Sequence, residues 1–133
     1  MAEIQPGPAD IAIPTARLDQ FLAETRSPTP FVVLDLNIAG ARYAALRELL
    51  PAAETYYAVK ANPATEVVAE LAGLGAGFDL SSLGEIAICM SLNIPPERLS
   101  FGNTVKRESA ITQASADGIM AADLLVIARR LGL

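Results

Sequence analysis

Lys60 stands in the run Tyr57-Ala58-Val59-Lys60-Ala61-Asn62-Pro63, and its position suggests covalent chemistry. Residues 55–59 are rich in β-formers, and Asn62-Pro63 reads as a helix N-cap followed by proline at the first helical position. Lys60 is therefore expected at the carboxyl end of a strand, the edge on which parallel α/β proteins assemble their sites. A partly desolvated amine in such a place can lose its proton and attack a carbonyl carbon, as a Schiff-base lysine does. On composition alone a lysine is an ordinary surface residue, so the reading depends on what surrounds it.

The other reactive residue types narrow the chemistry. There is no histidine in the 133 residues, which removes the commonest general base, any Ser-His or Cys-His pair and any Cys/His metal cluster. The single cysteine, Cys89, excludes an internal disulfide and falls in an apolar helical pattern, where a core role is favoured over a nucleophile. A formal charge of -5 gives no electrostatic reason to expect nucleic acid as a partner. The hydrophobic fraction of 52% is high, yet no run approaches the 18 or so apolar residues of a membrane span. It suggests strands buried on both faces or surface meant for a partner. Residues 1–10 carry Glu3, Pro6 and Pro8 without a basic or apolar leader pattern, so a secretory signal is not expected and a cytoplasmic location is the default.

The elements that must position Lys60 follow a regular rhythm. Short β-like runs begin at residues 31 (FVVLD), 55 (TYYAV), 77 (GFDL) and 99 (LSFGN), spaced by 24, 22 and 22 residues. Between them apolar residues recur at helical spacing, for example Ile38, Ala41, Ala45, Leu46 and Leu49, then Val67, Val68, Leu71 and Leu74. Each link is too long for a hairpin and suits a right-handed parallel crossover. Ser82 and Glu85 have capping-box spacing at the start of the third helix, which should stop near Asn93 because Pro95 and Pro96 cannot continue it. Gly75 and Gly77 punctuate the end of the preceding helix.

Upstream, residues 15–26 suit a short amphipathic helix through Leu18, Phe21 and Leu22, followed by a proline-containing linker. The expected division is an arm and linker over residues 1–30 and a main domain over residues 31–133. After Ile119 a fifth strand is due, but residues 120–133 carry another helical pattern. A full barrel of eight βα units takes about 250 residues. The fold expected is thus α/β with parallel strands, truncated, a chain of this length holding roughly half of a TIM-type (β/α)8 barrel.

Three motifs then come in order: residues 57–62 (YAVKAN), 77–86 (GFDLSSLGEI) and 101–106 (FGNTVK). Together they resemble the ornithine/lysine decarboxylases, pyridoxal-phosphate enzymes of the alanine-racemase-like fold, over residues 31–119. The segment FDLSS at residues 78–82 favours that branch over the diaminopimelate decarboxylases. The resemblance implies that Lys60 holds pyridoxal 5'-phosphate as a Schiff base, reversing the odds set by composition. It matches Asp79 to an aspartate near the cofactor lysine, where a carboxylate could steady the lysine's charge; a strand-end residue bonding nearby backbone donors is the alternative. Ala58 could pass under the cofactor plane, although a buried strand alanine needs no such role. Asn103 either shapes the pocket floor or makes a turn.

The resemblance also implies a basic amino-acid substrate, ornithine or lysine, for the intact protein, and a homodimer whose active sites form between subunits. It places residues 121–133 on a later helix of the family, so that a strand-helix-strand stretch is missing between Ile119 and Met120. The family's phosphate-cradling glycine-rich loops, the acidic partner of the pyridine nitrogen, the ring-stacking histidine and the cysteine-aspartate pair have no counterpart in this sequence. The expectation is a fragment that is not a competent decarboxylase alone. A non-catalytic cofactor-binding or interaction protein that docks on a full-length decarboxylase is the competing expectation.

Overall fold

The computed structural model describes residues 15–103 and 106–119. The expected helix over residues 120–133, the join before Met120 and the N-terminal ten residues lie outside them. The chain divides into two compact units between Pro51 and Ala52.

The first unit contains helices α1 (Thr15–Glu24) and α2 (Leu36–Leu49). Asp35 caps α2 by accepting the Asn37 amide at 3.0 Å, and Arg17 pairs with its other oxygen at 3.4 Å. Residues 31–35, expected as the first strand, form none. A strand exists only through ladder bonds to a neighbour, and among the described residues this unit holds no other strand. Val32 is left 91% exposed, and Asp35 serves as a helix cap instead.

The second unit carries the remaining rhythm: β1 (Tyr56–Ala58), α3 (Thr65–Gly73), β2 (Gly77–Leu80), α4 (Leu83–Ser91), β3 (Leu99–Phe101) and α5 (Glu108–Ala116). The strands form a parallel sheet in the order β1-β2-β3. Ala58 lies opposite Asp79 and Asp79 opposite Ser100, while Phe78 lies opposite Tyr57 and Leu99. Because side chains alternate along a strand, this register sorts the sheet into two faces. One holds Phe78, Leu80, Leu99 and Phe101, all buried, which with Val67, Val68 and Leu71 of α3 and Ile86 and Cys89 of α4 make the core. Each such apolar side chain contributes about 1.5–3 kcal/mol by leaving water. The other face presents Tyr56, Ala58, Gly77, Asp79 and Ser100, and none of these is buried.

The three α-helices described in this unit end alike. In each, a residue with positive φ (Gly75 at 91°, Asn93 at 54°, Gly118 at 74°) turns the chain back. The next amide then reaches five residues back, from Ala76 to Leu71 O at 3.0 Å, Ile94 to Cys89 O at 3.1 Å and Ile119 to Ala114 O at 2.9 Å. This is the Schellman arrangement, and all six of these residues are buried. The predicted stop near Asn93 therefore has a backbone cause before the prolines act. No helix among the described residues is long and apolar enough to cross a membrane.

Candidate cofactor site

The carboxyl edge of the sheet gathers what the sequence singled out. β1 ends at Ala58, one residue short of the expected run, and the chain then makes a single 3-10 turn, Val59–Ala61, that carries Lys60. Val59 is fully buried and anchors the turn, whereas Lys60 is exposed. Tyr57 braces it from the other side by donating its hydroxyl to Asn62 O at 3.2 Å. Its ring meets Phe78 edge-on at 6.4 Å and 83°. Burial raises the Tyr57 phenol above its usual pKa, which keeps it a donor at neutral pH.

Asn62 does not cap the next helix as expected. Its side chain accepts the Ala64 amide at 3.1 Å in a local turn, and α3 starts at Thr65 behind Ala64. An asparagine followed by proline satisfies this Asx turn as readily as a cap, and the turn displaces the helix start by two residues.

At the end of β2 the capping box forms with a shift. Ser82 Oγ accepts the Glu85 amide at 3.3 Å, but the Glu85 carboxylate accepts the Ser81 amide at 2.8 Å and the Ser82 hydroxyl at 3.0 Å. That fixes the strand-to-helix corner immediately after Asp79-Leu80. At the end of β3, Gly102 N donates to Leu80 O at 3.1 Å and Asn103 Nδ2 donates to Ser81 O at 2.9 Å, so the last residues of β2 and β3 are tied together. Asn103 thus acts on backbone at this edge.

Ala58 and Asp79 share the open face and, with Tyr56, Leu99, Ser100, Pro96, Glu97 and Gly118, line an open cleft of about 730 Å³. Neither Lys60 nor Asn103 lines it. Asp79 and Lys60 make no ion pair among the described residues; the Asp79 carboxylate instead leans over Gly102, where it occupies the space a Cβ would take. A hollow in the first unit, walled by α1 residues and residues 32–38, carries none of the sequence-predicted site residues.

Cys89 is fully buried, and burial, aided by the nearby Glu85 carboxylate, pushes its thiol up to about 11. A thiol so protonated is a core residue and a poor nucleophile. No group of three or more His, Cys, Asp or Glu among the described residues could hold a metal ion.

Sequence reasoning missed Tyr56, Ser100, Gly102 and Arg98. The first two were within reach, since alternation from Ala58 and Asp79 assigns them to the same face. Gly102 carries no sequence signal beyond its type. Arg98 donates from Nε to Ala76 O at 2.9 Å and from Nη2 to Ala72 O at 2.9 Å, with a further Nη2 bond to Ala76 O. It clamps the carboxyl end of α3 from 22 and 26 residues away, a long-range contact that no local pattern announces.

The arrangement is an exposed amine in the turn after β1, at the carboxyl edge of a face that carries Tyr56, Ala58, Gly77, Asp79 and Ser100. An exposed lysine amine can bond a carbonyl carbon covalently. Residues 38–127 match the family of the pyridoxal-dependent decarboxylases, pyridoxal binding domain. The lysine/ornithine decarboxylase of Selenomonas ruminantium is 40% identical over 92 residues, 69% of this chain and 23% of that protein. Antizyme inhibitor 2 of Xenopus laevis is 35% identical over 98 residues, 74% of this chain and 22% of that protein. The solved complex of SrLDC with PLP and cadaverine superposes with a TM-score of 0.70 at 32% identity, over 90% of this chain and 29% of that one. The chain thus spans under a quarter of the length of the two relatives named. Its open three-stranded parallel sheet is part of the barrel of such proteins, and the chain belongs to the pyridoxal-phosphate-dependent ornithine/lysine decarboxylase family, from the N-terminal part of its pyridoxal-binding domain.

Proposed function

We propose that this chain is the lysine-bearing portion of a decarboxylase of basic amino acids, with Lys60 as the residue that bonds pyridoxal 5'-phosphate. The observation that carries the reading is the position of Lys60 in the turn directly after β1, beside a face bearing Ala58 and Asp79. When bound, the cofactor supplies the electron sink for loss of a carboxylate. The protein's own contribution is binding and positioning. The buried Val59 and the Tyr57–Asn62 bond hold the lysine's backbone, so that the amine is presented at the strand edge. Ala58, with one methyl group, leaves room above the sheet for a planar ring. Asp79 supplies a negative charge on the same open face, which favours the protonated lysine when the carboxylate turns toward it.

One relative is named a lysine/ornithine decarboxylase and a solved neighbour is a complex with cadaverine, which supports lysine or ornithine as the substrate of the intact protein. The test is a spectroscopic titration of the chain with pyridoxal phosphate. The absorbance of a lysine adduct should appear, vanish in Lys60→Ala and survive in Lys106→Ala. Equal loss in both variants would remove the assignment.

A second reading is favoured by one observation, the similarity to an antizyme inhibitor. On it, the chain acts by docking on a full-length decarboxylase. Mixing the purified chain with such an enzyme and measuring both sedimentation and turnover distinguishes the two.

A further inference from the structure

Gly102 is the residue on which the direction of the Asp79 carboxylate depends. A Cβ built on Gly102 would fall on Asp79 Oδ1, with Cγ at 3.3 Å and Oδ2 at 3.6 Å. Glycine is not demanded here by the backbone, because Gly102 is not among the positive-φ glycines. What the missing side chain provides is space, and that space holds the carboxylate.

The backbone of Gly102 has little freedom to yield. Its amide is bonded to Leu80 O at 3.1 Å, and the next residue ties Asn103 Nδ2 to Ser81 O at 2.9 Å. A side chain added at position 102 must therefore move Asp79. On the open face Asp79 sits between Ser100 of β3 and Ala58 of β1. A carboxylate expelled from the β3 side turns toward β1, where alanine leaves room and where Lys60 lies two residues further along the chain.

We propose that Gly102 is a positioning residue: it lets the Asp79 carboxylate rest over β3, away from β1 and the turn after it that carries Lys60, so that the charge near the lysine is set by which side of β2 the carboxylate occupies. The inference rests on the reading that Lys60 and Asp79 serve one site. It makes Asp79 a group that must swing to approach the lysine.

The experiment uses the full chain and no cofactor. Competitive labelling with a trace of acetic anhydride at mildly alkaline pH, against a free amine standard in the same tube, reports the availability of the Lys60 amine. A carboxylate brought near favours the ammonium form. Gly102→Ala should lower Lys60 labelling by about threefold. Adding Asp79→Asn to Gly102→Ala should restore the original rate. Labelling unchanged in Gly102→Ala, or a fall that persists in the double variant, overturns the proposal. Should Gly102→Ala prevent folding, Asp79→Ala in the same chain must restore the circular dichroism of the parent, and failure to do so overturns it equally. Because no pyridoxal phosphate is present, failure of the cofactor to bond Lys60 would sink the functional reading without touching this result.

Discussion

Replacing Arg98 with alanine removes a clamp whose strength follows from its geometry. The guanidinium makes bonds to the carbonyls of Ala72 and Ala76, two of them at 2.9 Å, and Ala76 is fully buried. Hydrogen bonds to a charged group are worth about 1.5–3 kcal/mol each in favourable burial. Arg98 is only half-buried and two of the bonds share one acceptor, so the combined loss is placed at about 2–4 kcal/mol. Part of it is the cation's attraction to the negative end of α3. Arg98→Lys keeps the charge but not the two-pronged fork, and should lose about half as much. The chain has no tryptophan, so urea unfolding is best followed by far-ultraviolet circular dichroism. With a urea slope of about 1–3 kcal/mol per molar, Arg98→Ala should move the midpoint down by roughly 1–2 M. A midpoint within 0.2 M or so of the parent would show that the clamp is ornamental and that the α3–β2 corner stands on its Schellman bonds alone.

Two further outcomes follow from the core and the open face. The Cys89 thiol rises from 9.0 to about 11 on folding, so above the lower value the unfolded chain releases a proton that the folded chain retains. Stability should therefore fall as pH rises from about 9 toward 11, by up to about 1.4 kcal/mol per pH unit from this group. Cys89→Ala should flatten that slope in urea melts taken across the range, and an identical slope in both proteins would refute the cause. The sheet's open face and the outer edges of β1 and β3, which pair with no further strand among the described residues, should drive association, because parallel sheets are stable when both faces are covered. Sedimentation should show dimers or larger species, whereas a strictly monomeric chain with a sharp cooperative melt would mean that the unit is self-sufficient.

The parts of this fold that were legible in the sequence are those written by local chemistry. The runs at residues 77 and 99 became β2 and β3 because alternating apolar side chains fit a pleated sheet with one buried face. Ser82 with Glu85 announced the start of α4, and the stop at Asn93 could be read from the prolines beyond it. Where the outcome depended on a partner, the reading failed. Residues 31–35 have strand composition but no neighbour to pair with in their unit. Asn62-Pro63 fits a helix start and an Asx turn equally, and the choice fell to the backbone around Lys60. The assignment of Lys60, Ala58 and Asp79 to a cofactor site rests on three motifs in order, since spacing alone would have left Lys60 a surface lysine. Gly102 and Arg98 escaped because their roles exist only once the strands are in register.

The most direct test of the central claim is to incubate the chain with pyridoxal phosphate, reduce with borohydride and map the modified peptide by mass spectrometry. The chain contains only two lysines, Lys60 and Lys106, so the comparison is internal. Reduced adduct concentrated on the peptide around residues 58–62, saturating at lower cofactor concentration than any adduct at Lys106, is the result predicted. Equal modification of the two lysines at every concentration would contradict the assignment of Lys60 as the cofactor lysine.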